Sequence, residues 1–280
     1  YETIIIDEVQ DFKTIWLRII KKYFLEKNGE FIVLGDSKQD IYNRVLLNTS
    51  KQKKELVIPD SPGRWNELNE SYRLTPTITA FASAFQKEFL AKNHEIDEFE
   101  NYNYQTALFD RVHYKNIEGL NAEKTAQLIF DYIKKLNLPP NDIGVLSLSV
   151  QYIRDLDYAY RQLTHERTYI MSETHEFYNQ LVATQKIETK LNKEIDKIRK
   201  NKKLHFWMNS GLTKFSTIHS YKGWEVKNLF LITAKSSVEQ TYRELIYTGF
   251  TRCMDNLIIL NVDDSEFENF VNQLEFIDKF

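Results

Sequence analysis

Apolar residues recur along this chain in two patterns. Short β-prone runs end in polar or acidic residues, and between them lie stretches with apolar residues at helical spacing. The first run, Thr3-Ile4-Ile5-Ile6, is unbroken, which predicts a strand buried on both faces as in a parallel sheet. Residues 14–25 carry Trp16, Ile19, Ile20, Tyr23 and Phe24 at the spacing of a helix, with Asn28-Gly29 as its stop. Residues 31–34 then read as a second buried strand running into Gly35-Asp36. Strand, helix and strand at this spacing make a parallel unit with a right-handed crossover. Asp36 is therefore expected on the same rim as Asp7 and Glu8, beyond the carboxyl ends of the strands, where such sheets bind ligands.

Residues 48–67 are polar, contain Pro59, Pro62 and Gly63, and predict a surface connection, with a domain boundary near 68–75. The alternation then resumes. Residues 76–90 predict a helix with Ile78, Phe81, Phe85 and Phe89 on one face, and 122–136 another with Ala126, Ile129, Phe130 and Ile133 inward. Residues 112–117, 143–148, 215–219, 229–233 and 257–262 read as strands, so a second parallel sheet covered on both faces is expected. Between two of these strands, residues 150–203 interrupt the rhythm with long helical patterns. One face carries Phe177, Leu181, Ile187, Leu191, Ile195 and Ile198, and the other becomes basic with Lys197, Arg199, Lys200, Lys202 and Lys203. Glu188, Glu194 and Asp196 are interspersed, which favours a solvated face over a nucleic-acid arm. Residues 264–279 predict a capped amphipathic helix with Phe267, Phe270, Val271, Leu274 and Ile277 packed inward.

Composition narrows the partners. The net charge of −3 supplies no global field for a polyanion, so any nucleic-acid site must be a local basic patch. The single cysteine, Cys253, excludes an internal disulfide and a cysteine-built zinc cage and fits a reducing cytoplasm. No apolar stretch approaches the roughly 20 residues that span a bilayer, so no membrane partner is expected. The chain opens on a strand with neither an initiator methionine nor a leader, and is expected to be part of something longer.

The chemistry starts with the carboxylates after the first strand. A nucleotide–magnesium site needs one carboxylate to hold the metal and another to activate water, and Asp7-Glu8 offers both. Five segments then stand out in order: Ile6-Asp7-Glu8-Val9-Gln10-Asp11, Gly35-Asp36-Ser37-Lys38-Gln39-Asp40-Ile41-Tyr42, Leu68-Asn69-Glu70-Ser71-Tyr72-Arg73, Thr217-Ile218-His219-Ser220-Tyr221-Lys222-Gly223-Trp224-Glu225, and Ile246-Tyr247-Thr248-Gly249-Phe250-Thr251-Arg252. In this order they resemble motifs II to VI of the UvrD/Rep-like superfamily 1 DNA helicases.

The resemblance implies an α/β, RecA-like P-loop NTPase fold with three-layer parallel sheets. Residues 1–70 would be the C-terminal part of a first motor domain. Residues 71–280 would be a complete second one, with a helical insertion at about 150–212. ATP and Mg2+ would be the cofactors. The roles carried over are Asp7 for the metal, Glu8 for the hydrolytic water, Gln39 as γ-phosphate sensor, and Arg73 and Arg252 as arginine fingers. Tyr72 would stack on adenine, and Glu225, beside Gly223, would bond the ribose. Tyr42, Thr217 and His219 would meet single-stranded or partly duplex DNA, with Lys222 near the coupling path.

The sequence departs from the family in one large respect: no G-x-x-x-x-G-K-[ST] occurs, so no loop cradles the phosphates. The expectation is a C-terminal portion of a helicase whose upstream part is missing, inactive by itself. After Tyr42, Asn43-Arg44-Val45 replaces the family's aromatic, arginine and glycine, and Ser71, Trp224 and Gly249 stand for its usual Asn, Leu and Ala. Two other classes stay open. One is a non-catalytic interaction module derived from a helicase. The other is a metal-dependent nuclease using Asp7, Glu8 and Asp36, which would leave the remaining motifs unexplained.

Overall fold

The computed structural model describes residues 1–42, 56, 65–66, 68, 70–71, 73–96, 100–101, 111–185, 187–235 and 241–279. Strand β1 (Thr3–Ile6), helix α1 (Thr14–Tyr23) and strand β2 (Glu30–Val33) form the expected parallel unit, with Thr3 opposite Glu30 and Ile6 opposite Val33. Neither strand is buried on both faces. Ile6 is 5% exposed and packs with Val9 and Leu17, whereas Ile5 is 62% and Ile32 43% exposed. An unbroken apolar run cannot tell a two-stranded sheet with one covered face from the middle of a wide one. Helix α1 also stops at Tyr23, and Gly29 is no left-handed cap. Its glycine serves close approach instead, since a Cβ there would lie 2.8 Å from the Glu2 carbonyl oxygen and 2.8 Å from Leu25 Cδ1.

Most of the predicted 48–67 connection lies outside the described residues. Strands β3 (Glu70–Ser71) and β4 (Glu100–Asn101) make a short parallel pair, and helix α2 (Pro76–Phe85) lies between them in sequence. Pro76 suits the first helical position, where its missing N–H costs nothing. The helix runs on as a π-helical turn over Gln86–Leu90.

The rest of the chain builds one large sheet. Its elements are β5 (Arg111–Ile117), α3 (Ala122–Leu136), β6 (Ile143–Ser147), α4 (Val150–Thr164), β7 (Thr168–Ile170), α5 (His175–Thr184), α6 (Glu188–Leu204) and β8 (Thr213–Thr217). They continue with α7 (Ile218–Tyr221), β9 (Val226–Ala234), α8 (Tyr242–Phe250), β10 (Cys253–Val262), α9 (Ser265–Asn272) and β11 (Asp278–Lys279). The seven strands run in the order β11-β5-β10-β9-β6-β8-β7, and every pairing is parallel.

Period-two alternation sends β9 and β10 to two cores. Leu229, Leu231, Leu257 and Ile259 pack with α2, α8 and α9, while Phe230, Ile232, Ile258 and Leu260 pack with α3 and α4. The result is an α/β fold with three layers around a parallel sheet, consistent with the RecA-like expectation. Among the described residues no helix is long and apolar enough to cross a membrane.

Three further expectations need correction. Residues 150–170 continue the α/β rhythm rather than interrupting it: α4 buries Ile153, Leu156 and Tyr160, and β7 extends the sheet edge. Only α5 and α6 stand apart, and of their predicted apolar face only Ile195 is buried, with Phe177 and Ile187 exposed. Residues 218–221 form a helical turn, so His219 does not end a strand; the Thr217 hydroxyl caps that turn by accepting from the Ser220 N–H at 3.3 Å. Helix α9 ends at Asn272, and the chain then extends so that Asp278 and Lys279 pair with β5.

Candidate functional site

The rim beyond β1 and β2 is built by a backbone reversal. Glu8 adopts φ 52° and ψ 45°, the left-handed region, and turns the chain into a 3₁₀ turn over Val9–Asp11. A non-glycine residue there is strained and persists where its surroundings hold it. The hold comes from Gln10, fully buried, whose amide donates to Glu8 Oε2 and accepts from the Asp36 N–H at 3.1 Å. Gly35 makes room: a Cβ there would sit 2.7 Å from Gln10 Oε1 and 2.7 Å from Val9 Cγ1. Asp7 stays exposed, with one oxygen accepting from the Glu8 N–H at 2.8 Å.

The next 3₁₀ turn, Ser37–Gln39, is capped by Asp36, which accepts from the Lys38 N–H at 2.9 Å and from Gln39 Nε2 at 3.0 Å. The other end of the Gln39 amide meets the second half of the chain: Arg252 Nη2 donates to Gln39 Oε1. Arg252 is 3% exposed and also donates from Nε to the Thr248 carbonyl at 3.2 Å. Burial, with Arg73 nearby, lowers its pKa, while Glu8, Glu225 and Asp36 pull in the opposite direction.

Lys222 is a second link. Its ammonium donates to Asp11 Oδ1 at 2.6 Å and to the Gln39 carbonyl at 2.8 Å, lies 3.6 Å from Glu8 Oε2, and its side chain is only 4% exposed. Gly223 follows at φ +90°, a conformation natural to glycine, and lets the chain turn so that Glu225 reaches Arg73. Arg73 Nη1 donates to Glu225 Oε1, while its buried Nε has no hydrogen-bond partner among the described residues. Tyr72 lies outside the described residues.

Tyr42, Thr217 and His219 gather beside this cluster. The Tyr42 hydroxyl donates to the His219 carbonyl at 3.2 Å, the two rings lie 5.9 Å apart, and Lys222 Nζ sits 5.8 Å over the Tyr42 ring. Burial, then the charges of Lys203 and Lys222, lower the His219 pKa, so the ring is neutral at pH 7. A group whose folded pKa is depressed contributes stability that is present above its unfolded value and lost as pH falls through the folded one. His219, and His113 by burial, should therefore cost stability as pH drops below 6.5. Denaturant melts at about pH 7.5 and about 5.5 test this, and His219→Gln should flatten the slope.

The structure thus brings together Glu8, Gln39, Arg252 and Lys222, and joins Arg73 to Glu225 and Tyr42 to His219. Gln10, Asp11 and Asp36 were in the quoted motifs, but no pattern revealed that they stitch the two strand ends and receive Lys222.

Residues 1–44, the stretch carrying Asp7, Glu8 and Gln39, match the family model of the UvrD/REP helicase N-terminal domain. No curated protein matches the chain. Among solved structures, the C-terminal domain of a possible DNA helicase from Lactobacillus plantarum WCFS1 is similar at 12% identity. It aligns over 69% of this chain and 88% of that one, with a TM-score of 0.38, too loose a likeness to carry a role across.

Proposed function

We propose that the chain is the sensing and strand-gripping portion of an ATP-dependent helicase or translocase that moves on single-stranded DNA. The observation that carries this reading is the bond between Gln39 and Arg252, 213 residues apart, beside the Glu8 carboxylate. Phosphoryl transfer needs positioned charge rather than covalent chemistry, and a buried arginine delivered to a carboxylate rim by a distant segment supplies it. Because that arginine also holds Gln39, a change at the phosphate end is felt across the contact between the two sheets.

The residues fit Mg2+ arriving with a nucleotide. Asp7 presents one exposed carboxylate, and no cluster of three or more ligating side chains exists among the described residues. Magnesium is commonly held by one or two carboxylates, with water and phosphate oxygens completing its shell. Asp7 would hold it, and when bound it neutralises phosphate charge. Glu8, steered by Gln10, orients the attacking water. Arg252 and Arg73 meet the γ-phosphate, and Arg73 releases Glu225 for the ribose as it does so. Tyr72 takes the adenine. Lys222 joins the Glu8–Asp11 side to Tyr42 and His219, which grip the strand; a tyrosine face accepts any base at about 1–3 kcal/mol.

The chain contains no phosphate loop, so by itself it is expected to show no ATP turnover. The test compares the 280-residue chain with the full-length natural polypeptide, each with and without single-stranded DNA. Strand-stimulated turnover in the longer form alone, abolished by Glu8→Gln, is the expected result. Turnover by the chain alone would overturn the incomplete-motor reading. Silence from both would favour an interaction module, and nucleotide-independent cleavage of DNA with Mg2+ a nuclease.

A further inference from the structure

We propose that His94 is a positioning residue that fixes the Ser37–Gln39 turn on helix α8 and so sets where Gln39 meets Arg252. His94 is fully buried. Its Nδ1 lies 3.3 Å from Ser37 Oγ, 57 residues away in sequence, and its Nε2 lies 3.2 Å from Glu244 Oε1, 150 residues away. An ionised carboxylate only accepts, so Nε2 carries the hydrogen toward Glu244, and Nδ1 pairs with the Ser37 hydroxyl. The Nε2-protonated tautomer satisfies both neighbours.

The consequence is a clamp with two points. Glu244 stands in the first turn of α8 and Arg252 just past its end, roughly 12 Å further along at about 1.5 Å per residue. The first residue of the turn, Ser37, is tied through His94 to the near point, and its last, Gln39, is tied directly to the far point. With the Arg252 contact alone the turn would pivot. The base that carries His94 is itself anchored to α8. Gln86, fully buried in the π-helical turn, donates to the Tyr247 hydroxyl at 2.9 Å, and π turns recur at functional sites. Lys38 adds a neighbouring tie, donating from Nζ to the Glu95 carbonyl at 3.3 Å.

The importance of this clamp rests on the sensing role proposed for Gln39, but its geometry can be read without nucleotide. The experiment uses isotope-labelled 280-residue chain and its His94→Phe, His94→Gln and Ser37→Ala variants. It follows the His94 ring nitrogens by NMR and amide exchange at Lys38 and Gln39, whose N–H groups bond Asp36. The native ring is expected as the Nε2-protonated tautomer. His94→Phe, which fills the space without bonding, should speed exchange at both amides about ten-fold. His94→Gln, whose amide can donate to Glu244 and accept from Ser37, should restore protection.

Ser37→Ala should shift the Nδ1 resonance and loosen the same amides, and carries the test if His94→Phe fails to fold. An Nδ1-protonated ring, or native exchange in both His94→Phe and Ser37→Ala, would overturn the proposal. If the clamp holds but the longer polypeptide turns over no ATP, the sensing role fails and the geometry stands. Turnover with native exchange in the variants discards the clamp alone.

Discussion

On the function proposed above, Arg252→Ala should lower strand-stimulated ATP turnover of the full-length polypeptide by about 10³–10⁵, the range over which arginine fingers act in other nucleotide hydrolases. Two features make the effect large here. The guanidinium is 3% exposed, so its charge acts where water screens it little, and it is already oriented by the Thr248 carbonyl and Gln39. Arg252→Lys should fare little better, because an ammonium lacks the planar fork that reaches both acceptors. The loss should fall on kcat rather than on the KM for ATP, since the charge it meets develops in transfer. The measurement is steady-state turnover with saturating single-stranded DNA, beside a melting curve to show that the variant folds. A drop of less than about ten-fold in folded protein would remove Arg252 from the chemistry.

How much of this was legible depends on whether the signal was local. Strands β9 and β10 were readable because their apolar runs are covered on both faces, so every residue in them carries the signal. Helix α3 was readable to the residue because Asn121 caps its start, accepting from the Lys124 N–H at 2.8 Å, and its apolar positions recur at one spacing. Strand β7 was missed since Thr168–Ile170 is too short for any period to show, and β11 because two exposed residues pair only where the fold offers β5 as an edge. The exposure of Ile5 was hidden for the opposite reason: its own sequence is apolar, and only the number of neighbouring strands decides its fate.

The candidate site divides along the same line. Asp7, Glu8, Gln39 and Arg252 were singled out through motif order, and the structure gathers the last three; His94 and Glu244 lie in no motif and become visible only when α8 meets the Ser37–Gln39 turn. Lys222 was singled out by its motif, but that its ammonium sits between Asp11 and the Gln39 carbonyl is a tertiary fact that no spacing encodes.

Glu173→Ala should destabilise the second half of the chain by about 3–5 kcal/mol, the cost of stripping a partner from a buried ion pair. Glu173 is 1% exposed and stands between β7 and α5. It accepts from Arg154 Nη1 on α4 at 2.8 Å, and from Arg199 Nε and Nη2 on α6, each at 2.8 Å. One carboxylate thus ties the α5–α6 arm, whose own apolar face is only partly covered, to a helix of the main core. Without it, Arg154, only 7% exposed at the side chain and stacked 3.5 Å over Tyr178, keeps its charge in a dry place with no counter-ion from Glu173.

Acid should act in the same direction. Burial pushes the Glu173 carboxyl up, but the Arg199 hydrogen bonds, together with the charges of Arg199 and Arg154, outweigh it and leave the pKa below 4.5. A carboxyl depressed on folding gives stability that is present above that unfolded value and lost as pH falls through the folded one, so the arm should loosen below pH 4.5. Thermal melts of Glu173→Ala should show a midpoint lowered by about 10 °C. The double variant Glu173→Leu with Arg154→Met should recover most of it, because replacing a buried pair by apolar residues is often neutral. A Glu173→Ala midpoint within about 2 °C of the parent would mean that the arm is held by something other than this carboxylate.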